Sequence, residues 1–315
     1  MYKKILVTLD GSKFAEAVLP FVEEIARMQE TSVQLIHVVP PPEDRPFDTA
    51  MERADPDYSP RLDQMVSRMA KHRQAYLDQV AGGLRAKGVA AQGEVLYGRP
   101  ASEITQYASH NDVDLVAMTT HGRSGLARWR YGSVAGEVLQ SITVPLFLFR
   151  SSPETSEAAS STHDSALSRI IVPLDGSELA EQALPHARAL ALSLGLDIDL
   201  IRIVSPPTPL MGAEVTEDYY TWYYNWEADL TKIAKDYLAG VAAKFEKDKL
   251  NVTSRIFHGN SAANIVDYAE AVGHGLICIT THGRTGLGRM VFGSVAERVL
   301  QESTSPVLMV RAQDE

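Results

Sequence analysis

The sequence is short of cysteine, of positive charge and of long apolar runs, and each shortage excludes a class of protein. One cysteine in 315 residues cannot supply a disulfide framework. That residue, Cys278, stands in an apolar run, where a small buried side chain is expected. No run of about 18 apolar residues occurs, so no membrane span is predicted. A net charge of −10 without a basic stripe argues against a nucleic-acid-binding protein.

Signatures of targeting, metal binding and common enzyme classes are missing as well. Residues 1–7 enter a strand-like run without the apolar stretch and cleavage site of a signal peptide, so a cytoplasmic location is expected. No Gly-x4-Gly-Lys-[Ser/Thr] loop is present, and no Gly-x-Gly-x-x-Gly follows the first strand-like run of either half. His121 and His282 have no Cys, His or carboxylate at metal-ligand spacing. We therefore predict no metal site in the protein and assign no catalytic residue.

The chain contains the same unit twice. Residues 5–20 and 170–185 are identical at ten of sixteen positions, and residues 120–150 and 281–311 at seventeen of thirty-one. Gap-free matches at both ends of each half indicate duplication of a whole domain, because a solenoid repeats every ~20–50 residues. The residues between the halves are rich in Ser and small side chains, which is typical of a flexible tether. We predict domain 1 at residues 1–150, a linker at 151–167 and domain 2 at 168–315.

Short apolar runs alternate with helical patterns in both halves. Strands that are apolar on both faces and separated by helices imply a parallel sheet covered on both sides. Right-handed crossovers then favour an α/β fold of two tandem, doubly wound, Rossmann-like domains, each with a five-stranded parallel sheet. The predicted strands are 5–9, 33–39, 91–97, 115–118 and 144–149, then 170–174, 197–203, 252–257, 275–280 and 306–310. The predicted helices of domain 1 are 14–28, 61–87, 102–109 and 134–141.

Asp10 and Asp175 follow the first strand of their domains, at the sheet edge where doubly wound folds bind ligands. Each precedes Gly-Ser, and Ser12 or Ser177 can cap the next helix. The carboxylate is therefore either part of that cap or an acceptor of hydrogen bonds from a bound sugar or base. Gene duplication copies a residue whether or not both domains use it. The presence of the aspartate in both domains therefore does not decide between the capping role and the ligand-binding role.

The second candidate segment follows the fourth strand of each domain. The pattern Gly-x9-Gly-Ser-Val occurs at Gly122 with Gly132, Ser133 and Val134, and at Gly283 with Gly293, Ser294 and Val295. Glycine lets the backbone approach a phosphate closely. Gly-Ser then opens the last helix, where free N–H groups and the helix dipole favour an anion. The alternative is a loop whose glycines only turn the chain and whose Ser is an N-cap.

Together these segments resemble the universal stress protein family. The resemblance rests on Val-x-x-Asp-Gly-Ser after strand 1, Thr-His-Gly-Arg-x-Gly after strand 4, the spacing to Gly-Ser-Val, and a final Pro-Val-Leu-Met-Val-Arg strand. It covers both halves nearly end to end, and tandem two-domain members are well represented in that family. It implies a stress-response protein with a site for ATP, ADP or AMP, with or without Mg²⁺, in at least one domain.

Carried over by position, the resemblance implies a role for each site residue. Asp10 and Asp175 are expected beside adenine or ribose, and Val38 and Ile203 against the base. The expected phosphate-binding residues are Gly122, Gly132, Ser133 and Val134 in domain 1, and Gly283, Gly293, Ser294 and Val295 in domain 2.

The chain departs from the pattern of the family's ATP-binding members at one position. Those members carry Gly-x2-Gly-x9-Gly-[Ser/Thr], and here Thr119 and Thr280 replace the first glycine. The branched side chain either narrows the pocket or donates a hydrogen bond to the sugar. Pro173 matches a proline common in the ATP-binding members, whereas domain 1 has Thr8.

Two surface features bear on partners. The aromatic cluster Tyr219, Tyr220, Trp222, Tyr223, Tyr224 and Trp226 either packs on its own domain or forms an interface. The last strand of each domain is a predicted sheet edge, which needs a partner or a cover. The family commonly dimerises through that strand, so the resemblance implies an intramolecular pseudo-dimer of the two domains, and a further homodimer is plausible.

Three functions follow as hypotheses. The leading one is a binding protein whose adenine nucleotide tunes its stability or its choice of partner. A slow ATPase is the second, although no paired general base and metal-binding carboxylate is evident near the expected phosphates. The third is a nucleotide-free scaffold that acts through its dimer surfaces, which the replacement of glycine by Thr119 and Thr280 favours.

Overall fold

The computed structural model describes residues 2–40, 58–120, 132–150, 167–205, 217–273, 275–281 and 293–313, without the side chains of 58–63 and 217–224. The chain divides into two compact units, residues 1–164 and 165–315. They contain the predicted domains 1 and 2, keep those names, and are described separately. The predictions for His121, Gly122, His282, Gly283, linker residues 151–166, and the side chains of Tyr219, Tyr220, Trp222, Tyr223 and Tyr224 lie outside the described residues. Leu167, the last residue of the predicted linker, is buried.

Domain 1 alternates strands and helices around a parallel sheet. The strands are β1 (Lys4–Thr8), β2 (Ser32–Val39), β3 (Ala91–Tyr97), β4 (Leu115–Thr119) and β5 (Leu146–Phe149). The helices are α1 (Lys13–Glu16), α2 (Leu19–Gln29), α3 (Tyr58–Ala86), α4 (Pro100–His110) and α5 (Ser133–Ser141). The strand order is β3-β2-β1-β4-β5, and each of these pairings is parallel.

Domain 2 repeats the arrangement. Its strands are β6 (Arg169–Pro173), β7 (Asp197–Val204), β8 (Val252–His258), β9 (Gly275–Thr280) and β10 (Val307–Val310). Its helices are α6 (Glu178–Glu181), α7 (Leu184–Leu194), α8 (Glu217–Ala243), α9 (Ser261–Val272) and α10 (Ser294–Glu302), with a 3₁₀ turn at Glu246–Asp248. The order is β8-β7-β6-β9-β10, again with parallel pairings.

The predicted α/β class and the parallel five-stranded sheets are confirmed. The central strands carry apolar residues on both faces because helices cover both sides of the sheet: every residue of β4 and β9 is buried. In both domains the chain builds outward from the first strand in one direction, then returns to add the fourth and fifth strands on its other side. The switch point therefore lies between β1 and β4 and between β6 and β9.

The prediction of a single first helix in domain 1 is wrong. The pattern predicts one helix over 14–28, but the structure has α1 and α2, separated around residues 17 and 18. Pro20 at the start of α2 is the physical reason, because proline lacks an N–H and its ring clashes with the carbonyl four residues earlier. The apolar spacing continues across the break, so periodicity alone does not reveal it. Pro185 divides α6 from α7 in the same way.

The burial expected of Cys278 is confirmed. The side chain is fully buried on β9, and its Sγ donates to the carbonyl oxygen of Ala183 at 3.6 Å. Burial raises the pKa of the thiol to about 12, so the residue stays protonated. In the part of the chain that the structure describes, no helix is both long and apolar enough to span a bilayer.

A buried carboxylate on β7 forms a polar cluster in domain 2. Asp199 has no exposed surface and accepts from the guanidinium of Arg169 at 2.8 Å, from the hydroxyl of Tyr268 at 2.7 Å and from the hydroxyl of Thr253. Desolvation opposes the charge on Asp199, but these three donors outweigh it and lower its pKa. Domain 1 has Gln34 at the same strand position, buried, with an Oε1 that lacks a partner within the described residues.

An ion pair on the helical surface occurs in both domains with its charges exchanged. In domain 1, Glu23 on α2 pairs with Lys87 at the end of α3, at 2.7 Å. In domain 2, the corresponding pair is Arg188 on α7 with Asp248 after α8. The second helix thus carries the acid in domain 1 and the base in domain 2, and the residue that follows the long helix carries the opposite charge.

Candidate functional site

A cavity of about 280 Å³ opens at the switch point of domain 1. Its walls come from the ends of β1, β2 and β4 and from the first turns of α4 and α5. The lining residues are Thr8, Leu9, Asp10, Ala15, Ile36, His37, Val38, Pro100, Ile104, Met118, Thr119, Thr120, Gly132, Ser133, Val134 and Ala135. One wall is apolar, whereas Asp10, the threonines and Ser133 supply polar groups, as is usual for a small-molecule site.

Domain 2 has the matching cavity, of about 290 Å³. Its lining residues are Pro173, Leu174, Asp175, Ala180, Ile203, Ser261, Ile265, Ile279, Thr280, Thr281, Gly293, Ser294, Val295 and Ala296. The two cavities arise independently in two halves that differ at many positions, so the geometry belongs to the fold and not to one sequence.

Every predicted site residue that the structure describes lines one of these cavities. They are Asp10, Val38, Thr119, Gly132, Ser133 and Val134 in domain 1, and Pro173, Asp175, Ile203, Thr280, Gly293, Ser294 and Val295 in domain 2. Their contacts with a ligand stay a prediction. Gly122 and Gly283 lie outside the described residues.

The first aspartate of each domain takes part in a helix cap. Asp10 Oδ1 accepts from the backbone N–H of Ser12 at 2.8 Å and from its hydroxyl at 2.6 Å. Ser12 Oγ in turn accepts from the N–H of Ala15 at 3.1 Å, which caps α1. Domain 2 repeats the cap with Asp175, Ser177 and Ala180. The capping alternative is therefore observed, and the same carboxylate also lines the cavity, so the two roles are compatible.

We expect removal of this cap to cost stability. In Ser12→Ala the N–H of Ala15 and Oδ1 of Asp10 both lose a partner, so the free energy of unfolding of domain 1 should fall by about 1 kcal/mol. Urea denaturation of the variant checks this, with Ser177→Ala as the matched change in domain 2. An unchanged midpoint in both variants would contradict the role of the cap.

The last helix of each domain begins without a side-chain cap. Gly132 is the N-cap of α5, and Ser133 is the first helical residue, so Ser133 is not the N-cap that one alternative expected. The Gly132 N–H donates to the carbonyl oxygen of Thr120 at 2.6 Å, and a Cβ at Gly132 would lie 3.1 Å from that oxygen. Glycine thus permits this close packing. Gly293 and Ser294 have the same arrangement at α10.

The hydroxyls at the start of these helices face the cavities with no internal partner. Within the described residues neither Ser133 nor Ser294 makes a side-chain hydrogen bond, and both are exposed. The first N–H groups of the helices likewise receive no side-chain acceptor from the glycine N-caps. Unpaired donors and the positive end of the helix dipole together favour an anion.

Thr119 and Thr280 end the fourth strand of each domain and are nearly buried, with 8% and 5% exposure. Each is paired with the last residue of a neighbouring strand, Thr119 with Phe149 and Thr280 with Val310. Both line their cavities, so the branched side chains occupy part of the wall without closing it.

Other lining residues had no sequence motif to mark them. The first turn of the helix after strand 3 contributes Pro100 and Ile104 in domain 1, and Ser261 and Ile265 in domain 2. Apolar helical spacing predicts that such residues are buried, but not which of them face a cavity. His37 gave a weak signal, as a histidine in an apolar strand; its Nδ1 lies 2.7 Å from the carbonyl oxygen of Leu9.

A tyrosine–glutamate bond ties the long helix of each domain to the short helix that follows the aspartate. Tyr76 on α3 donates to Glu16 Oε1 at 2.8 Å, and Tyr237 on α8 donates to Glu181 Oε1 at 3.0 Å. Burial and then the hydrogen-bonded glutamate raise the pKa of both tyrosines, so each stays a donor at neutral pH. The bond therefore positions α1 and α6 beside Asp10 and Asp175 over the whole physiological range.

No protein-based metal site is evident in the described part of the chain, where no three His, Cys, Asp or Glu residues group together to hold an ion.

The chain matches the model of the universal stress protein family twice, at residues 1–150 and 167–311. A universal stress protein of Methanocaldococcus jannaschii is 31% identical over 146 residues, which cover 45% of this chain and 81% of the relative. Another, from Mycolicibacterium smegmatis, is 23% identical over 311 residues, 98% of this chain and 96% of the relative.

A solved structure has the same fold along its whole length. The crystal structure of a universal stress protein from Archaeoglobus fulgidus superimposes with a TM-score of 0.67 at 19% identity, covering 99% of both chains.

Proposed function

The chain belongs to the universal stress protein family as a tandem two-domain member, and from this premise we propose that each domain binds an adenine nucleotide as a regulatory ligand. The carrying observation is that the two cavities at the switch points collect all the described residues that the family pattern assigns to such a site. They do so in two copies whose sequences have diverged.

The walls of the cavity divide by polarity in a way that suits a nucleotide. In domain 1 the apolar side chains of Ile36, Val38 and Met118 form one wall, against which a base packs. Asp10 lies at the end of β1, where a carboxylate accepts hydrogen bonds from the ribose hydroxyls or an adenine amino group. In domain 2 the corresponding residues are Ile203, Ile279 and Asp175.

The phosphates belong at the other end, over the start of the last helix. Ser133 and Ser294 offer a hydroxyl and a backbone N–H each, next to an N-cap glycine that leaves room for an approaching oxygen. Phosphate oxygens accept these bonds and are further stabilised by the helix dipole. Binding to the folded state alone would raise stability with nucleotide concentration, which gives the ligand a regulatory effect without catalysis.

The direct test is to denature freshly purified protein and to identify and count released nucleotide by chromatography. We expect adenine nucleotide near two per chain. A count near one per chain would favour domain 2, which has Pro173, as the occupied site. No nucleotide, and no binding by calorimetry when ATP is added with or without Mg²⁺, would overturn the proposal and favour the nucleotide-free scaffold. Parallel assay of ADP formed from ATP over hours separates binding from slow hydrolysis.

A further inference from the structure

A second, wider cleft adjoins the cavity of domain 2. Its volume is about 520 Å³, and it shares Ser261, Ser294 and Val295 with the cavity. Beyond them it is lined by Ser205, Asn260 and Arg298, among others. Because the shared residues include the start of α10, a ligand whose phosphates reach Ser294 would continue into this cleft.

Arg298 is the cation among the described residues that line the cleft. It follows Ser294 by four residues on α10, and side chains four apart share a helix face and lean toward the N-terminus. Both residues line the cleft, so the side chain of Arg298 and the site proposed for the phosphates share this surface. Its Nε donates to Glu302 at 2.7 Å, while its terminal nitrogens have no partner within the described residues. Glu297, which precedes Arg298 on the helix, accepts from the Gln301 amide and is not among the residues lining the cleft.

Domain 1 has different residues at the positions that supply the polar and charged groups of the cleft. Glu137 replaces Arg298, so an acid stands one turn above Ser133. Pro100 replaces Ser261 and removes both a hydroxyl and a backbone N–H at the start of α4. Arg99 replaces Asn260 and places a cation at the N-cap of α4 instead of on α5. Among the described residues, the two sites are therefore similar where the base is proposed to bind. They differ where the second and third phosphates of a nucleotide would lie.

We propose that the cleft extends the nucleotide site of domain 2, which selects nucleotides with two or more phosphate groups, and that Arg298 determines this specificity. Domain 1, with Glu137 in the same place, discriminates little between mono- and triphosphates. The inference rests on the proposed function, because it assigns a ligand class to one of the two sites. A guanidinium suits this role because it donates paired hydrogen bonds to phosphate oxygens.

Competition against 8-azido-ATP tests the proposal in the full chain. Photolabelled peptides are assigned to each domain by mass spectrometry, and AMP, ADP and ATP compete for the label. For domain 2 we expect ATP to compete at least about tenfold better than AMP, the gain of one charge-assisted bond. Arg298→Glu should remove this preference and leave AMP within about twofold, and Glu137→Arg should create a preference in domain 1.

Glu302→Gln is the matched control, because it breaks the Arg298 pair on the same helix and leaves the cation in place. ATP preference in domain 2 should persist in this variant. The proposal is overturned if unaltered domain 2 binds AMP and ATP equally, or if Arg298→Glu leaves the preference intact. It is overturned too if Glu302→Gln abolishes the preference for ATP, because the preference would then depend on the structure of α10 and not on the charge of Arg298. If no nucleotide competes in either domain, the proposed function fails with it.

Discussion

Replacing Ser133 and Ser294 together by Asp is expected to weaken nucleotide binding at both sites about a hundredfold or more and to leave the domains at least as stable as before. Both residues are exposed at the first position of a helix, where a carboxylate interacts favourably with the dipole by about 0.3–1 kcal/mol. The same carboxylate repels a phosphate and removes a donor to it. A bond to a charged group is worth about 1.5–3 kcal/mol, so affinity should fall about a hundredfold or more.

Calorimetric titration with ATP and thermal unfolding without ligand measure the two effects separately. The Ser133→Ala and Ser294→Ala double variant is the control, because it removes only the hydroxyls and should weaken binding about two- to tenfold. The single Asp variants then assign the loss to one domain. Unchanged ATP affinity in the double Asp variant would show that the phosphates do not lie over these helices.

The second large effect concerns stability. Asp199→Ala should lower the free energy of unfolding of domain 2 by about 3–5 kcal/mol, because it leaves the donors of Arg169, Thr253 and Tyr268 without their common acceptor. The side chain of Arg169 is 26% exposed and can recover some solvation, which favours the lower end of that range.

Hydrogen exchange with mass spectrometry can follow each domain separately. Protection of β6 and β7 should fall in Asp199→Ala, and that of β1 and β2 should not. Gln34→Leu in domain 1 is the matched change at the same strand position. It removes an amide whose oxygen has no partner within the described residues, so its effect should be near zero or stabilising. A loss of equal size in the two variants would contradict the special role of the carboxylate.

This cluster also gives domain 2 a dependence on acid. The pKa of Asp199 is lower in the folded than in the unfolded state, so its stabilising contribution is complete above the unfolded value of about 4. It is lost as the pH falls through the lowered folded value. The free energy of unfolding of Asp199→Asn should therefore lack this dependence on pH. The difference in that free energy between the variant and the unaltered protein should shrink below about pH 4.

The residues that could be predicted from the sequence are those at strand ends. A parallel sheet brings the carboxyl ends of its strands to one edge, so Asp10 and Thr119 could be placed together from the order of the elements. Gly132, the N-cap of α5, is assigned to the site by the Gly-x9-Gly-Ser-Val motif and the family resemblance. Duplication helped, because each segment recurred in a second context. The break at Pro20 was missed because the apolar spacing of one helix runs on into the next.

Other features depend on tertiary packing and could not be predicted. The cavity face of α4, with Ile104, has the same spacing as any buried helix. Asp199 stands in an apolar strand, and its three donors are 30, 54 and 69 residues away along the chain. The cleft around Arg298 combines the ends of three elements, and the Gly-Ser-Val motif marks only one of them, the start of α10. Contacts of that kind follow from the packing of helices on the sheet, not from local pattern.

The exchanged ion pair bears on how a chain with two related halves assembles during synthesis. Each half offers the other a near copy of its own helices, so an intermediate could dock α2 against α8, or α7 against α3. Glu23 would then meet Asp248, and Arg188 would meet Lys87, replacing two attractions by two repulsions. For partly exposed pairs the difference is on the order of 2 kcal/mol, enough to disfavour such swapped intermediates about thirtyfold. The bonds from Tyr76 and Tyr237 to their glutamates are the same in both halves, so they would not discriminate between correct and swapped docking.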